Sequence, residues 1–430
     1  MEILMIGNGF DLEHDLPTSY GSFLEFCEKA IFCGIYGSYS FNVSETLRNN
    51  WKVDKQIIER VISAFRKKYK DCLEEDKNKE KLIELYEYIH DNVWLEYFQT
   101  CMEDKKNIGE NWIDFEMEIS HVIQVLDVFR DALFNANERQ GYDIYKKSIY
   151  QSSILKRICT IKRGDDIKSI DELDRFVSVL DAELERFIRA LEIYIDEIVN
   201  KLPITKKSKD IEKINPDFVL SFNYSNTYER IYGIEKEKEK EKGIQYDYIH
   251  GKADANKNIK TCNLVLGIDE YLGDDRKDTD LEFIVFKKYF QRIYKSTGNA
   301  YLKWVEKIKK DYDEYIRKIR LENIGGNETT VTRYMRATPM PTQRIQCPTH
   351  TLYIFGHSLD VTDRDILRLF ICNDNVQTKI FYHQKDEDDK TTLGKLIKNL
   401  VRIMGQDELI RRTGGEHKTI EFIPQSKHEE

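Results

Sequence analysis

No pair of cysteines in this chain stands at C-x-x-C spacing, and no Cys/His cluster has the spacing of a metal-ligand set. That excludes a zinc module or a disulfide framework as the organising device. The eight cysteines (Cys27, Cys33, Cys72, Cys101, Cys159, Cys262, Cys347, Cys372) are scattered over 430 residues and read as reduced, mostly buried thiols. No segment approaches the ~20 apolar residues that cross a bilayer, and MEILMIGNGFD reaches glycine too soon for a signal-peptide core. The expected location is cytoplasmic. An excess of basic charge is also lacking. With a formal net charge of -9, nothing indicates nucleic acid or an anionic membrane as a partner. Gly/Ser linkers and internal repeats are missing too, so independent domains in series are not expected.

What is present is 40% hydrophobic residues, enough for a substantial core. Residues 2–6 (EILMI) suit a short buried parallel strand. Helical periodicity then takes over. Apolar residues recur at three and four over 82–102, from Phe115 to Leu126, and over 170–202, where Pro203 stops the pattern. Strand signals return in PDFVLSFNY (216–224), YDYIHG (246–251) and NLVLGID (263–269). Between the first two lies the solvated charge run 234–243. Residues 283–322 read as helices interrupted near Ser296–Asn299, and 324–349 as a loop marked by Pro339, Pro341 and Pro348. The segment from His350 onward alternates strand, glycine turn, helix, strand, helix, strand. Such alternation implies a mostly parallel sheet. The expected fold is α/β: a three-layer, Rossmann-like core from 1–26, 205–275 and 345–425, a helical insertion at 27–204, a second at 276–344, and a tail at 426–430.

Polar and glycine residues collect at four predicted strand ends. The first is G-N-G (Gly7, Asn8, Gly9), followed by Leu16-Pro17 and a helix from about Tyr20 with Thr18 or Ser19 as its cap. Glycines there permit a sharp turn or close approach to a phosphate. Leu12 replaces the third glycine of G-x-G-x-x-G, so turn and cradle both stay open. The others place Asn223 with a Ser225 or Asn226 cap, His250 beside Gly251, and Gly356, His357 and Ser358 before a cap at Asp360 or Thr362. Ligands of doubly wound sheets bind outside the carboxyl ends of strands, so four such ends should converge on one crevice. Asp363 reads as a helix-dipole residue, and His357 as a turn or pocket-wall residue. Asp114 reads as a helix-start residue and Glu116 as a solvated acid. Lys287, Lys288 and Arg292 read as a solvated basic face.

These motifs in this order resemble the NAD-binding core of the sirtuin superfamily. More closely, IGNGFDLEHDLPTSYGSFL, NWIDFE, LSFNYSNTYE, YIHG, FKKYFQRIYKSTGNAY and FGHSLDVTDRDIL resemble the bacterial AbiH abortive-infection family, from about residue 3 to 383. The resemblance implies a sirtuin-like crevice with NAD+ or a related nucleotide as substrate or ligand and no prosthetic group. In it Gly7 and Gly9 take the pyrophosphate, with Asn8 and Asp11 alongside. Asn223 and Ser225 face the nicotinamide ribose, His250 is the base, and Gly356, His357 and Ser358 meet the adenosine half. Ser225 stands where the sirtuin turn carries aspartate, and the zinc module is missing. NAD+ hydrolysis therefore fits better than protein deacylation. The implied setting is phage defence with a phage-derived trigger and homo-oligomerisation. Two alternatives are a dinucleotide sensor without turnover, and a Mg2+-dependent nuclease or nucleotide hydrolase using Asp11, Asp114, Glu116 and Asp269.

Overall fold

The computed structural model describes residues 1–33, 76–108, 110, 112–134, 136–162, 166–204, 206–234, 243–273, 275–325, 346–384, 390–415 and 418–426. Cys72 and most of the charge run and Pro-marked loop lie outside the described residues.

Six strands form one sheet: β1 (Glu2–Ile6), β2 (Phe218–Ser221), β3 (Gln245–Tyr248), β4 (His350–Phe355), β5 (Val376–Tyr382) and β6 (Ile420–Pro424). Every pairing is parallel, and the order is β3-β2-β1-β4-β5-β6. The chain therefore winds outward from β1 in both directions, which puts the topological switch point between β1 and β4. Ile3 and Met5 bury one face of β1 against α10 (Tyr301–Gly325), α11 (Arg364–Ile371) and α12 (Thr391–Met404). Leu4 and Ile6 bury the other against Phe10, Ile211, Tyr228 and Tyr232. This two-faced burial is why EILMI is apolar throughout rather than alternating. A fully buried Leu or Ile contributes roughly 1.5–3 kcal/mol, so burial on both faces anchors this strand firmly.

The long β1-to-β2 connection opens with α1 (Asn8–Glu13) and α2 (Tyr20–Cys33) and continues through a helical body. Its members are α3 (Asp76–Ile89), α4 (Val93–Asn107), α5 (Phe115–Leu133), α6 (Glu138–Gln151), α7 (Ser153–Lys162) and α8 (Ile170–Glu197). Phe23, Trp94, Phe98, Phe115 and Phe187 share its core. Trp94 Nε1 donates to the Leu180 carbonyl at 2.8 Å, so even the largest buried ring is satisfied.

Two expectations are corrected. Residues 263–269 are not a strand of the sheet. Leu264, Leu266 and Ile268 instead pack into the helical core as an extended strap with a single bridge, Ile268 to Lys287. A short apolar run reads the same whether it is buried in a sheet or against helices. And helix begins earlier than Tyr20: Gly7 follows β1 as the N-cap of α1, so Asn8 and Gly9 are already helical.

Candidate active site

The strand ends do converge, and backbone contact is what joins them. The Gly9 amide donates to the Gly356 carbonyl at 2.8 Å, and the Gly7 amide to the Phe355 carbonyl at 3.2 Å. A Cβ on Gly7 or Gly9 would lie 2.8 Å from Gly356 or His357 backbone atoms. The two glycines are thus required by the seam between β1 and β4. Their amides are spent within the protein, which corrects their assignment as a phosphate cradle.

Asn223 is buried, and its Nδ2 donates to the Gly7 carbonyl at 2.9 Å. The bond to Gly7 braces the β1–β2 corner. Ser225 Oγ donates to Asp11 Oδ2 at 2.6 Å and receives Thr227 Oγ1 at 2.9 Å, so its expected roles as helix cap and ribose contact are corrected. Burial pushes the Asp11 carboxyl up to about 6 against these hydroxyls, Asn223 and Arg230. Asn8 is exposed and accepts from Thr18 Oγ1 at 2.7 Å, while Ser19 Oγ caps α2. Ser358 is exposed at the rim, its carbonyl held by Asn399.

The chemistry gathers around Asp363. Its Oδ1 lies 3.5 Å from His250 Nε2 and its Oδ2 lies 3.5 Å from His357 Nε2. His357 Nδ1 accepts the Leu359 amide at 2.9 Å, so its proton sits on Nε2 and both ring nitrogens are committed. His250 differs. Its Nε2 faces the carboxylate, yet its buried Nδ1 has no partner among the described residues. An ionised carboxylate can only accept, which leaves Nδ1 as the lone-pair nitrogen. Burial, with Lys288 and Arg292, lowers the affinity of His250 for a proton despite Asp363, so the ring is neutral at neutral pH. Phe222 meets both imidazoles edge-on, with centroids 5.7 and 4.3 Å away. The His250 carbonyl accepts from Val265, and the strap's Val265 carbonyl accepts from Tyr224. Gly298 packs on the backbone of Ile249, where a Cβ would meet its carbonyl at 2.5 Å.

Lys288, the first residue of α9 (Lys288–Tyr294), is buried, as is Lys287. The expected solvated basic face is therefore corrected: Lys287 pairs with Glu270, and Lys288 with Glu116 at 2.7 Å and Asp363 at 3.5 Å. Burial would raise the Asp363 carboxyl, but Lys288 and the two imidazoles outweigh it and hold the group well below its ordinary range. Burial and neighbouring carboxylates push Glu116 up, opposed by Lys288. Burial likewise pushes Asp269 up to about 7. Asp114 caps α5, its Oδ1 accepting from the amides of Glu116 and Met117. Among the described residues no group of His, Cys, Asp or Glu could hold a metal ion, and Asp11 lies with Ser225 and Thr227, while the Lys288 ammonium sits among the other acids. The expected Mg2+ set is thereby corrected.

Sequence reasoning read Asp363 as a helix-dipole residue and missed that Lys288 pairs with both it and Glu116. The signal available was the recurrence of acids in NWIDFE and LDVTDRD beside the basic pair of FKKYF.

Among the described residues no helix is long and apolar enough to cross a membrane. Comparison with curated proteins and with solved structures finds no match. The family model for bacteriophage abortive infection AbiH matches residues 3–384, so this chain belongs to the AbiH family of phage abortive-infection proteins.

Proposed function

We propose that this abortive-infection protein binds NAD+ or a close relative at the switch point and hydrolyses it to nicotinamide and ADP-ribose, with His250 as base. The observation that carries the reading is the buried, unpartnered Nδ1 of His250, held opposite an Nε2 that faces Asp363. The winding order of the sheet, which sets the site at a topological switch point, supports the choice of a dinucleotide.

The bond between the ribose C1′ and the nicotinamide nitrogen breaks, and its electron pair neutralises the pyridinium. Positive charge grows on the ribose, and a water adds to C1′. Nδ1 of His250 takes the water's proton, and the resulting imidazolium is stabilised by Asp363. Asn223, bonded to the Gly7 carbonyl, acts as a positioning residue for the β1–β2 corner.

The test is nicotinamide release from NAD+ by the purified protein in an activated state, beside His250→Ala and Asn223→Ala. Release by wild type that is lost in His250→Ala supports the reading. A silent wild type sinks it, and tight calorimetric NAD+ binding without turnover would favour a sensor instead.

A further inference from the structure

Lys288 is fixed by main-chain and side-chain contacts rather than hung on a free surface. Its amide donates to the Ile268 carbonyl at 2.8 Å. One turn on, Gln291 grips the strap on both sides: Leu266 N donates to Oε1 at 3.0 Å, and Nε2 donates to the Leu266 carbonyl at 3.1 Å. Gly267 permits this approach, since a Cβ there would lie 2.4 Å from the Phe286 carbonyl. The ammonium that results is 2% exposed and spans Glu116 of the helical body and Asp363 beside the sheet. A buried ion pair is weak evidence for stability, because apolar residues of similar volume often serve as well or better. Its placement between a remote carboxylate and the one that faces both imidazoles points to a positional task.

We propose that Lys288 is a positioning residue for His250: anchored by Glu116, its ammonium fixes the Asp363 carboxylate against Nε2 of His250, so that Nδ1 is the proton acceptor of the site. The inference rests on His250 being the base of the proposed hydrolysis. The strap and α5 thereby become parts of the site, although neither supplies a group that meets the reacting atoms.

Lys288→Met, and Glu116→Gln combined with Lys288→Met, are compared with wild type by 15N NMR of the histidine side chains, with His250→Gln supplying the assignment. The double variant removes the ammonium together with the acid that anchors it, so it reports even where the single one does not fold. Charged or titratable groups facing His250 are Asp363, Lys288, Arg292, His357 and Tyr224. In wild type the His250 proton resides on Nε2; in both variants the ring becomes a mixture of tautomers and its titration midpoint rises. Nicotinamide release falls about 100-fold in kcat with little change in KM, as for a group that misplaces a catalyst without touching substrate. Unchanged His250 resonances in both variants would overturn the proposal, whatever the activity. Altered resonances in a protein whose wild type never releases nicotinamide would uphold the positioning and remove the hydrolase reading.

Discussion

The amide of Gly9 reaches the carbonyl of Gly356 across 2.8 Å, joining the first turn of the chain to a turn almost 350 residues later. Gly9→Ala would set a methyl 2.8 Å from the Gly356 Cα and 2.9 Å from its carbonyl oxygen, backbone atoms with nothing flexible to yield. Gly356→Ala adds a left-handed φ of 67° and a Cβ 2.1 Å from the Phe10 nitrogen. Overpacking of this kind costs about 1–3 kcal/mol. Urea denaturation should place Gly356→Ala below Gly9→Ala, and both below wild type. Equal stability of all three would show that the seam is looser than described.

Removing the acid that faces both histidines separates catalysis from folding. Asp363→Asn keeps the shape but can donate to Nε2, which favours the opposite tautomer of His250. The expected loss of nicotinamide release is about 10²- to 10⁴-fold. A loss under threefold would move the base elsewhere.

The proton affinity of His250 is lowered in the folded chain, first by burial. In the unfolded chain the imidazole takes its proton at ~6.5; in the folded chain it does so only at lower pH. Stability from this residue is therefore full above pH 6.5 and declines as pH falls toward the folded value. Relative to His250→Gln, wild type should weaken over that acid range. Its kcat/KM should hold below pH 6.5 before it drops. Parallel stability curves for the two proteins would contradict the burial of a neutral ring.

Asp11 runs the other way. Its carboxyl is raised from 3.8 to about 6 by burial, so the folded chain holds a proton that the unfolded chain has released between these values. Wild type should gain stability relative to Asp11→Asn as pH falls from about 6 to 4, by roughly 3 kcal/mol at 1.36 kcal/mol per pH unit. Thermal melts at pH 4.5 and 7.5 decide the sign. A gain at the higher pH instead would mean that Asp11 is paired there.

Asp114 and Glu116 are two residues apart and do different work. Asp114→Ala should cost about 1 kcal/mol through loss of the α5 cap, and Asp114→Ser should recover most of it. Glu116→Ser should not behave like a lost cap, because its carboxylate meets Lys288 rather than a helix amide. Chemical denaturation of the three variants tests the division.

Much of the sheet could be read from the chain, because a strand buried on both faces leaves a short apolar run ended by glycine or a polar residue, as at Ile6 and Phe355. Ser19 and Asp360 announced their caps for the same local reason. The pairing of Lys288 with Glu116 did not announce itself. A charged side chain buried in a pair has the same letter as one in solvent, and the partner lies more than 170 residues away. Gly9 was ambiguous in the same manner, since a glycine needed for a ligand and one needed for a neighbouring backbone look alike. The strap 263–269 failed because apolarity records burial and not the surface that provides it.

The central position of β1 also bears on synthesis. It pairs with β2 on one side and β4 on the other, so during translation its second edge stays open until the ribosome has passed His350. Asp363 emerges later still. A nascent or truncated chain that ends before these residues has neither the closed seam nor the acid behind His250, so the proposed hydrolysis is withheld from every incomplete copy made in the host.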